Sequence, residues 1–197
     1  MLEFHLRRRC QHVLLDPAAR RLARHFSPNQ VTLLSLIFGL MTFPALVLGW
    51  VYSAILCLVI SGYLDALDGT VARMTGRATP FGAVLDILCD RLVEIAVVLG
   101  LYSIDPASRG WACLIMLASI LVIITGFLLA GIFVKNDSHK SFNYTPGLME
   151  RPEAFIFFAA MMLMPGYMTW LAVIFSLLVL YTAARRILDT KRLLEAP

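Results

Sequence analysis

The stretch DALDGTVARMTGRATPFGAVLDILCD, residues 65–90, places four aspartates between long apolar segments. The chain on both sides is rich in Leu, Ile, Val and Ala, so these carboxylates are expected at or near membrane depth. An ionised side chain there costs about 2.5–3.5 kcal/mol on insertion scales. Four such charges need cations to neutralise them, and protonation is the other way to remove the cost. The acid cluster is therefore the predicted functional site.

The composition is that of an integral membrane protein. Of the 197 residues, 59% are hydrophobic and 15% are charged, which lies outside the usual mix of a soluble domain. Six apolar stretches approach the roughly 20 residues that span a hydrocarbon core of about 30 Å. The predicted spans are Val31–Trp50, Val51–Ala72, Phe81–Tyr102, Trp111–Lys135, Pro152–Met164 and Tyr167–Ile187. We therefore predict an all-α integral membrane protein with six transmembrane helices in a single domain over residues 1–197.

The segment before the first span, residues 1–27, mixes arginines with apolar residues. Asp16 and Pro17 predict a helix start, with Asp16 as N-cap and Pro17 at the first helical position. A basic amphipathic helix of this kind lies in the headgroup plane of a membrane. We expect such an interfacial helix ahead of a six-helix bundle over residues 28–190, with a solvated basic tail as the alternative.

The distribution of Lys and Arg predicts the topology. With the N-terminus inside, fifteen of the 17 Lys and Arg residues fall on one side of the membrane, Arg109 falls on the other, and Arg91 lies within the third span. Short cytoplasmic loops carry an excess of Lys and Arg. Both termini, and the acid cluster, are therefore expected on the cytoplasmic side of a cell or inner membrane.

Helix geometry sorts the four aspartates into two pairs. Asp65 and Asp68 are three residues apart, and Asp86 and Asp90 are four apart, so each pair shares one helix face. Antiparallel helices joined by a short turn, residues 73–80, would bring the two pairs opposite each other. Carboxylate oxygens suit Mg²⁺ or Mn²⁺, and two divalent ions would cancel four negative charges. We expect all four aspartates to be metal ligands.

Small and polar residues accompany the acids. Gly69 and Gly82 remove side chains beside the carboxylates, and Ala72 keeps the Asp68 face open, so a phosphate group could approach closely. Arg73 is placed to pair with that phosphate, and Thr79 to donate a hydroxyl to it. Close helix packing is the other use of small residues in membranes. Their combination with four acids favours a phosphate site.

The pattern D-x2-D-G-x2-A-R-x8-G-x3-D-x3-D, with all its fixed positions filled between Asp65 and Asp90, resembles the signature of the CDP-alcohol phosphatidyltransferases. Upstream, PNQVT at residues 28–32 is similar to the family's cytidine-binding segment. The resemblance covers nearly the whole chain. It implies six helices, an N-terminal interfacial helix and a homodimer.

The resemblance implies a transferase of phospholipid biosynthesis that moves a phosphatidyl group from a CDP-linked lipid, such as CDP-diacylglycerol, to an alcohol, releasing CMP. It implies that Asp65, Asp68 and Asp86 bind metal. Asp90 would be a ligand or neighbour of the second metal as well as the general base. The CDP-lipid-binding residues that it implies are Asn29, Gln30, Val31, Thr32, Gly69, Ala72, Arg73, Thr79 and Gly82.

The acceptor alcohol is expected to meet basic residues at helix ends on the predicted cytoplasmic side: Lys135, Arg151, Arg185 and Arg186. Such residues suit a phosphorylated polyol, for example inositol phosphate or glycerol 3-phosphate, although topology and lipid headgroups also call for basic residues. The segment ERPE, residues 150–153, is similar to one in phosphatidylinositol-phosphate synthases. Residues 136–138, Asn-Asp-Ser, depart from the basic, alanine-rich run that follows the lysine in those enzymes.

An ion-coupled or proton-coupled transporter is the second class of function, because acids inside membranes mark ion pathways. The aspartates lie at one predicted membrane edge, however, and the sequence has no visible inverted repeat of the kind that transporters contain. A catalytically silent family member is the third possibility, against which the intact set of aspartates weighs. No nucleic-acid partner is expected.

Overall fold

The computed structural model describes residues 15–133 and 148–195. The protein is all-helical in these ranges, with no β-strand in them. The chain divides into two compact units, residues 1–100 and 101–197. The helices of the first unit are α1 (Asp16–Leu22), α2 (Pro28–Val47), α3 (Val51–Thr75) and α4 (Pro80–Ile104), of which α4 ends just beyond the boundary. The second unit contains α5 (Pro106–Phe133), α6 (Arg151–Leu163), a 3₁₀ turn (Pro165–Tyr167) and α7 (Met168–Glu195).

Each of the six predicted spans overlaps one of the helices α2 to α7. By length and composition, four helical segments of the described residues can cross a membrane: Pro28–Val47, Val51–Thr75, Pro106–Phe133 and Pro165–Glu195. Helix α4 has 25 residues but carries the charged residues Asp86, Asp90, Arg91 and Glu94. Helix α6 has only 13 residues. The all-helical membrane architecture is confirmed at this coarser level, and the count of six spans stays a prediction.

Local sequence signals set the helix ends that surround the acid cluster. Ser27 and Gln30 form a capping box at the start of α2, with Pro28 in the first turn, as this residue pattern favours. Helix α3 ends at Gly76, whose φ of 64° lies in the left-handed region where glycine is the usual residue. The Thr79 hydroxyl accepts the Gly82 N–H at 3.0 Å at the start of α4. The turn is therefore shorter than predicted, and Arg73 lies on the helix.

Helices α2, α3 and α4 pack closely where α2 carries Gly39. A Cβ atom at Gly39 would lie 2.2 Å from Cγ2 of Val93 on α4 and 2.9 Å from the Ser61 hydroxyl on α3. Nearby, the Ser35 hydroxyl donates to the backbone carbonyl of Ser61 at 2.8 Å. Small residues and interhelical hydroxyl bonds of this kind drive helix association in lipid. They hold α3 and α4, the two helices that carry the acids, against α2.

We predict that Gly39→Ala destabilises the first unit. The β-branched Val93 side chain cannot move aside as a flexible chain end can, so overpacking should cost about 1–3 kcal/mol. A lower midpoint of thermal unfolding in detergent would measure this loss. Gly126→Ala on α5 is the matched control, because its Cβ would meet Ile187 at an ordinary 3.9 Å. Equal midpoints for the two variants would contradict the packing argument.

Helix α1 packs its apolar side onto α2 and α3. Ala19 is fully buried in a cluster with Val31, Leu67 and Val71. Asp16 is the first helical residue and Leu15 occupies the N-cap position, so the prediction of Asp16 as N-cap was wrong by one position. The difference arises because the helical backbone already includes Leu15, while Pro17 still lies in the first turn as expected.

In the second unit, α7 packs against α5 and α6. The rings of Phe158 on α6 and Phe175 on α7, both buried, lie 5.5 Å apart between centroids. The Met149 N–H donates to the Thr182 hydroxyl at 3.1 Å in a buried contact. This bond fixes the start of α6 against α7, one turn before Arg185 and Arg186.

Arg109, near the start of the second unit, is a buried arginine. Arg109, the single cation assigned to the far side of the membrane by the charge count, donates to the Leu101 carbonyl at 3.2 Å and is 7% exposed. Carbonyls in the last turn of a helix lack partners within the helix. Arg109 therefore satisfies the C-terminal turn of α4.

Candidate active site

Three of the four aspartates come together where the C-terminal part of α3 lies beside the N-terminal part of α4. This is the side of the protein that the charge distribution predicts to face the cytoplasm. Asp65, Asp68 and Asp86 each offer a carboxylate oxygen, and these oxygens lie within 4.8 Å of one another. Asp68 is 6% exposed, and the other two are half-buried. The prediction that the two helices bring their acids together is confirmed for these three residues.

Asp90 lies one helical turn further along α4 and is not part of this three-residue group among the described residues. One carboxylate oxygen of Asp90 is fully buried, as is one of Asp86. The roles of Asp90 as a further metal ligand and as general base stay predictions. Its position one turn away separates it from the three gathered oxygens while keeping it on the Asp86 face of α4.

The hydroxyl of Thr32 donates to Asp68 Oδ2 at 2.5 Å. Thr32 is buried, and its hydroxyl also lies 3.2 Å from the Pro28 carbonyl. A hydrogen bond to one oxygen of a carboxylate fixes its orientation and directs the other oxygen toward a metal. Thr32 was predicted to bind the CDP group, and the structure places its side chain on a candidate metal ligand.

We predict that Thr32→Val weakens divalent-metal binding about 10–100-fold, the usual effect of losing a hydrogen bond to a ligand. Manganese titration followed by electron paramagnetic resonance of the free ion measures the affinity directly. Thr32→Ser keeps the hydroxyl and is the matched control, expected to bind the ion as the parent does. An unchanged affinity in Thr32→Val would show that Thr32 does not orient Asp68.

Arg73 lies over Gly69 on α3. A Cβ at Gly69 would lie 3.4 Å from Nη1 of Arg73, and Nη2 donates to the Thr70 hydroxyl at 3.1 Å. Thr70 is buried and its hydroxyl in turn donates to the Ala66 carbonyl. Thr70 therefore orients the guanidinium. The sequence analysis missed this residue, although its spacing of three residues from Arg73 on a helix is a usable signal.

Asn29 and Gly82 are neighbours, although they belong to different helices. A Cβ at Gly82 would meet Asn29 Oδ1 and the Thr79 hydroxyl, both at 3.2 Å. The glycine thus leaves room between the starts of α2 and α4. Thr79 accepts the Gly82 N–H, and its hydroxyl hydrogen is available as a donor in addition. Three predicted CDP-binding residues are therefore brought together here.

Gln30 and Val31 have other side-chain partners. The Gln30 Oε1 accepts the Ser27 N–H at 2.8 Å in the capping box, and Val31 is fully buried in the apolar cluster beneath α1. Ala72 is half-buried on α3, on the same helix as Asp68. The side chains of Gln30 and Val31 thus stabilise the N-terminal turn of α2, which also carries Asn29 and Thr32.

The donor set suits a hard divalent cation. Oxygen ligands on opposite sides of an octahedral Mg²⁺ lie about 4.2 Å apart at the usual bond length. Among three ligand oxygens at most one pair can have that span, and the other pairs lie closer together. The three carboxylate oxygens, which lie within 4.8 Å of one another, would therefore move toward one another when they bind one ion. Carboxylates favour Mg²⁺ or Mn²⁺ over softer metals, so Asp65, Asp68 and Asp86 fit the ion that the sequence predicts.

A charged pair extends the acidic face of α4. Arg91 Nη1 lies 2.6 Å from Glu94 Oε2, and Glu94 is buried. Glu94 follows Asp90 by four residues and so continues the stripe of Asp86 and Asp90. Neither Arg91 nor Glu94 is among the site residues predicted from the sequence, although the four-residue spacing from Asp90 to Glu94 is a visible signal. The arginine neutralises the third acid of this stripe.

Of the predicted acceptor residues, Arg151, Arg185 and Arg186 are described and belong to the second unit, and Lys135 lies outside the described residues. Arg151 stacks on the Phe155 ring at 5.5 Å, and Arg186 lies over the Phe127 ring at 5.9 Å. The bond from Met149 to Thr182 brings the start of α6 close to this part of α7. Arg185 is exposed and donates to the Tyr181 hydroxyl at 3.3 Å. Arg151 and Arg186 thus each lie over an aromatic ring of the second unit, whereas Arg185 is exposed.

The chain belongs to the CDP-alcohol phosphatidyltransferase family, whose model matches residues 25–183. It is 32% identical over 166 residues to the phosphatidylinositol phosphate synthase of Corynebacterium glutamicum, covering 79% of this chain and 71% of that protein. It is 31% identical over 195 residues to the inner membrane protein YnjF of Escherichia coli, covering 95% and 94%.

Solved structures agree with this assignment. The phosphatidylinositol phosphate synthase of Mycobacterium tuberculosis with CDP-DAG bound matches with a TM-score of 0.74 and 26% identity, covering 90% of this chain and 93% of that one. The same enzyme in complex with manganese and citrate matches with a TM-score of 0.75 and 25% identity, covering 90% and 89%. The protein is therefore an integral membrane transferase, and the alternative of a transporter has no support.

Proposed function

We propose that the protein transfers a phosphatidyl group from a CDP-linked lipid to an alcohol and releases CMP. The observation that carries this proposal is the convergence of Asp65, Asp68 and Asp86 on two neighbouring helices. They do so in a chain that fills every fixed position of the family's motif. The solved relative with CDP-DAG bound supports CDP-diacylglycerol as the donor.

The three gathered aspartates, with Asp90, would hold two Mg²⁺ or Mn²⁺ ions. The manganese complex of the relative supports a divalent ion. Bound ions supply positive charge that stabilises the pyrophosphate and the leaving CMP. Thr32 holds Asp68 in the orientation that this requires, and the burial of Asp68 excludes water from one side of the site.

The CDP group is proposed to lie between the starts of α2 and α4 and the end of α3. Asn29 and Thr79 present an amide and a hydroxyl beside the open space at Gly82. Arg73, held by Thr70, presents its guanidinium above Gly69, where it can bind a phosphate through two parallel hydrogen bonds. The contribution of Gln30 and Val31 is proposed to come from their backbone, since their side chains have other partners.

Asp90 is the proposed general base. It takes the proton from the acceptor hydroxyl, and that oxygen attacks the phosphorus that bears the lipid. The bond from this phosphorus to the CMP oxygen breaks, so CMP leaves and a phosphodiester lipid forms. The proton on Asp90 then passes to water. No covalent enzyme intermediate is needed, because the acceptor oxygen replaces the CMP oxygen directly.

The proposed acceptor is a phosphorylated polyol. Arg151 at the start of α6 and Arg186 on α7 each lie over an aromatic ring that limits the movement of the guanidinium. Guanidinium groups bind phosphate through a matched fork of donors. The names of several relatives favour inositol phosphate, with glycerol 3-phosphate as the other candidate. Lys135 is proposed to assist in binding the acceptor phosphate, and Arg185 is proposed to contribute less to this binding.

The remaining sequence predictions complete the proposal. We infer a single membrane domain over residues 1–197 with six spans, including α4 and the short α6. The charge distribution supports cytoplasmic termini and an active site that opens to the cytoplasm of the cell or inner membrane. The family resemblance supports a homodimer with the basic residues 1–27 at the membrane surface.

The decisive test incubates the purified protein with CDP-diacylglycerol, a panel of phosphorylated and unphosphorylated alcohols, and Mg²⁺ or Mn²⁺. We expect CMP release and a new lipid only when donor, a phosphorylated polyol and the ion are all present. EDTA should abolish both products. Mass spectrometry identifies the lipid. Ion flux across vesicles without any CMP would contradict the enzyme.

Asp90→Asn in the same assay removes the base without changing the size of the side chain. Turnover should fall about 10²–10⁴-fold, the usual contribution of a general base, whereas binding of CDP-diacylglycerol should change little. Undiminished turnover would rule out this role. Glu195→Gln at the end of α7 is the control exchange of an acid for its amide, because Glu195 pairs with Lys191 and has no proposed role in the reaction.

Arg151→Ala and Arg186→Ala are each predicted to raise the KM for the acceptor about 10–100-fold, since a hydrogen bond to a charged group contributes about 1.5–3 kcal/mol. The KM for CDP-diacylglycerol should stay nearly constant. Arg185→Ala is the matched control and should alter neither value strongly. A larger effect on the donor than on the acceptor in steady-state kinetics would refute the assignment.

A further inference from the structure

Three arginines form a cationic surface on α1 and the turn that follows it, apart in sequence from the acid cluster and the acceptor arginines. Arg20, Arg21 and Arg24 are exposed and line an open hollow together with Asp16 and Pro17. Three guanidinium groups against one carboxylate leave a net positive charge in this hollow. We call these three residues the arginine surface.

The opposite side of α1 is occupied by the protein itself. Ala19 is fully buried against Val31, Leu67 and Val71, and the partly buried side chains of Leu15 and other α1 residues pack around them. An interfacial helix that enters a bilayer uses its apolar face to do so. Here that face is already covered, so the exposed side of α1 interacts with its surroundings mainly through charge.

The arginine surface precedes a candidate membrane span by only a few residues. Helix α1 ends at Leu22 and α2, a candidate membrane span, begins at Pro28. The short connection keeps the arginines near the point where α2 enters the membrane. Phe26 in this connection is 40% exposed, and Phe is one of the apolar residues that interfacial segments bury at the headgroup boundary.

We infer that the arginine surface binds the phosphate of an anionic lipid headgroup. Arginine matches phosphate oxygens with paired donors, and basic residues next to anionic membranes gain attraction that decays within a Debye length. A lipid phosphate is favoured over a soluble anion because the surface adjoins the start of a membrane span and an exposed Phe26.

Binding at this surface acts on the helices that hold the acids. Val31 precedes Thr32, the residue that orients Asp68, and Leu67 and Val71 lie on α3 beside Asp68 and Gly69. A ligand that binds only the folded form stabilises it by mass action. An anionic lipid on α1 therefore stabilises the α1–α2–α3 packing beneath the candidate active site.

The test uses the full-length protein in a neutral detergent with EDTA and without CDP-lipid or acceptor, so it does not depend on the proposed reaction. Thermal unfolding is followed during titration with dihexanoyl-phosphatidylglycerol, dihexanoyl-phosphatidylcholine or inorganic phosphate. We expect the unfolding midpoint to rise only with the phosphatidylglycerol, and the rise to shrink at high salt. Equal shifts with phosphatidylcholine, or with inorganic phosphate at the same concentration, would overturn the assignment to an anionic lipid.

The triple variant R20Q/R21Q/R24Q should bind the phosphatidylglycerol roughly 100-fold more weakly, if each arginine contributes as basic residues at membrane surfaces do. R20K/R21K/R24K keeps the charge but loses the paired donors, so its affinity should lie between those of the parent and of R20Q/R21Q/R24Q. K191Q/R192Q, on exposed residues of α7, and R151A/R186A should bind as the parent does. The inference would be refuted if R151A/R186A lost phosphatidylglycerol binding while R20Q/R21Q/R24Q kept it. That result would place the lipid on the acceptor arginines.

Discussion

The cost of gathering carboxylates inside an apolar helix pair is the constraint on which the rest of the structure depends. Three oxygens from Asp65, Asp68 and Asp86 lie within 4.8 Å of one another, and like charges so close repel strongly unless a cation lies between them. A divalent ion turns that repulsion into attraction. The three acids can share an ion only if α3 and α4 keep their relative positions. The surrounding residues fix those positions. Gly76 ends α3, Thr79 begins α4, and Gly39 lets α2 approach both.

The residues at the start of α2 divide into those that face the open site and those that pack or hydrogen-bond with the helices around it. Asn29 stands beside Gly82, whereas Val31, two positions later, is buried beneath α1. Thr32 contacts Asp68 instead of the open space. One short segment at the start of α2 thus presents a polar group, packs against α1 and orients a candidate metal ligand. A helix can do all three because successive residues point in different directions.

Much of this protein was predictable from local patterns. The apolar stretches indicated the helices, because each must satisfy its own backbone in lipid. The spacing of three and four residues indicated which aspartates share a face, and their convergence is confirmed for three of the four. The one-position error at Asp16 and the overlong turn after Arg73 arose at helix ends, where propensity gives no sharp boundary. Glu94 follows Asp90 at the same four-residue spacing, but it was not predicted as a member of the stripe because its neighbours Val93 and Ile95 are apolar.

The membrane class, the pairing of the acids and the family motif can be read from the chain alone, since they follow from hydrophobicity and from distances along single helices. The contacts of each polar side chain, in contrast, depend on how the helices pack. Thr32 reaches Asp68 across 36 positions of sequence, Asn29 meets Gly82 from another helix, and Arg151 and Arg186 stack on rings of their own unit. Contacts between helices depend on rotation and crossing of whole elements, and those are set by the summed packing of many side chains, which no short pattern encodes.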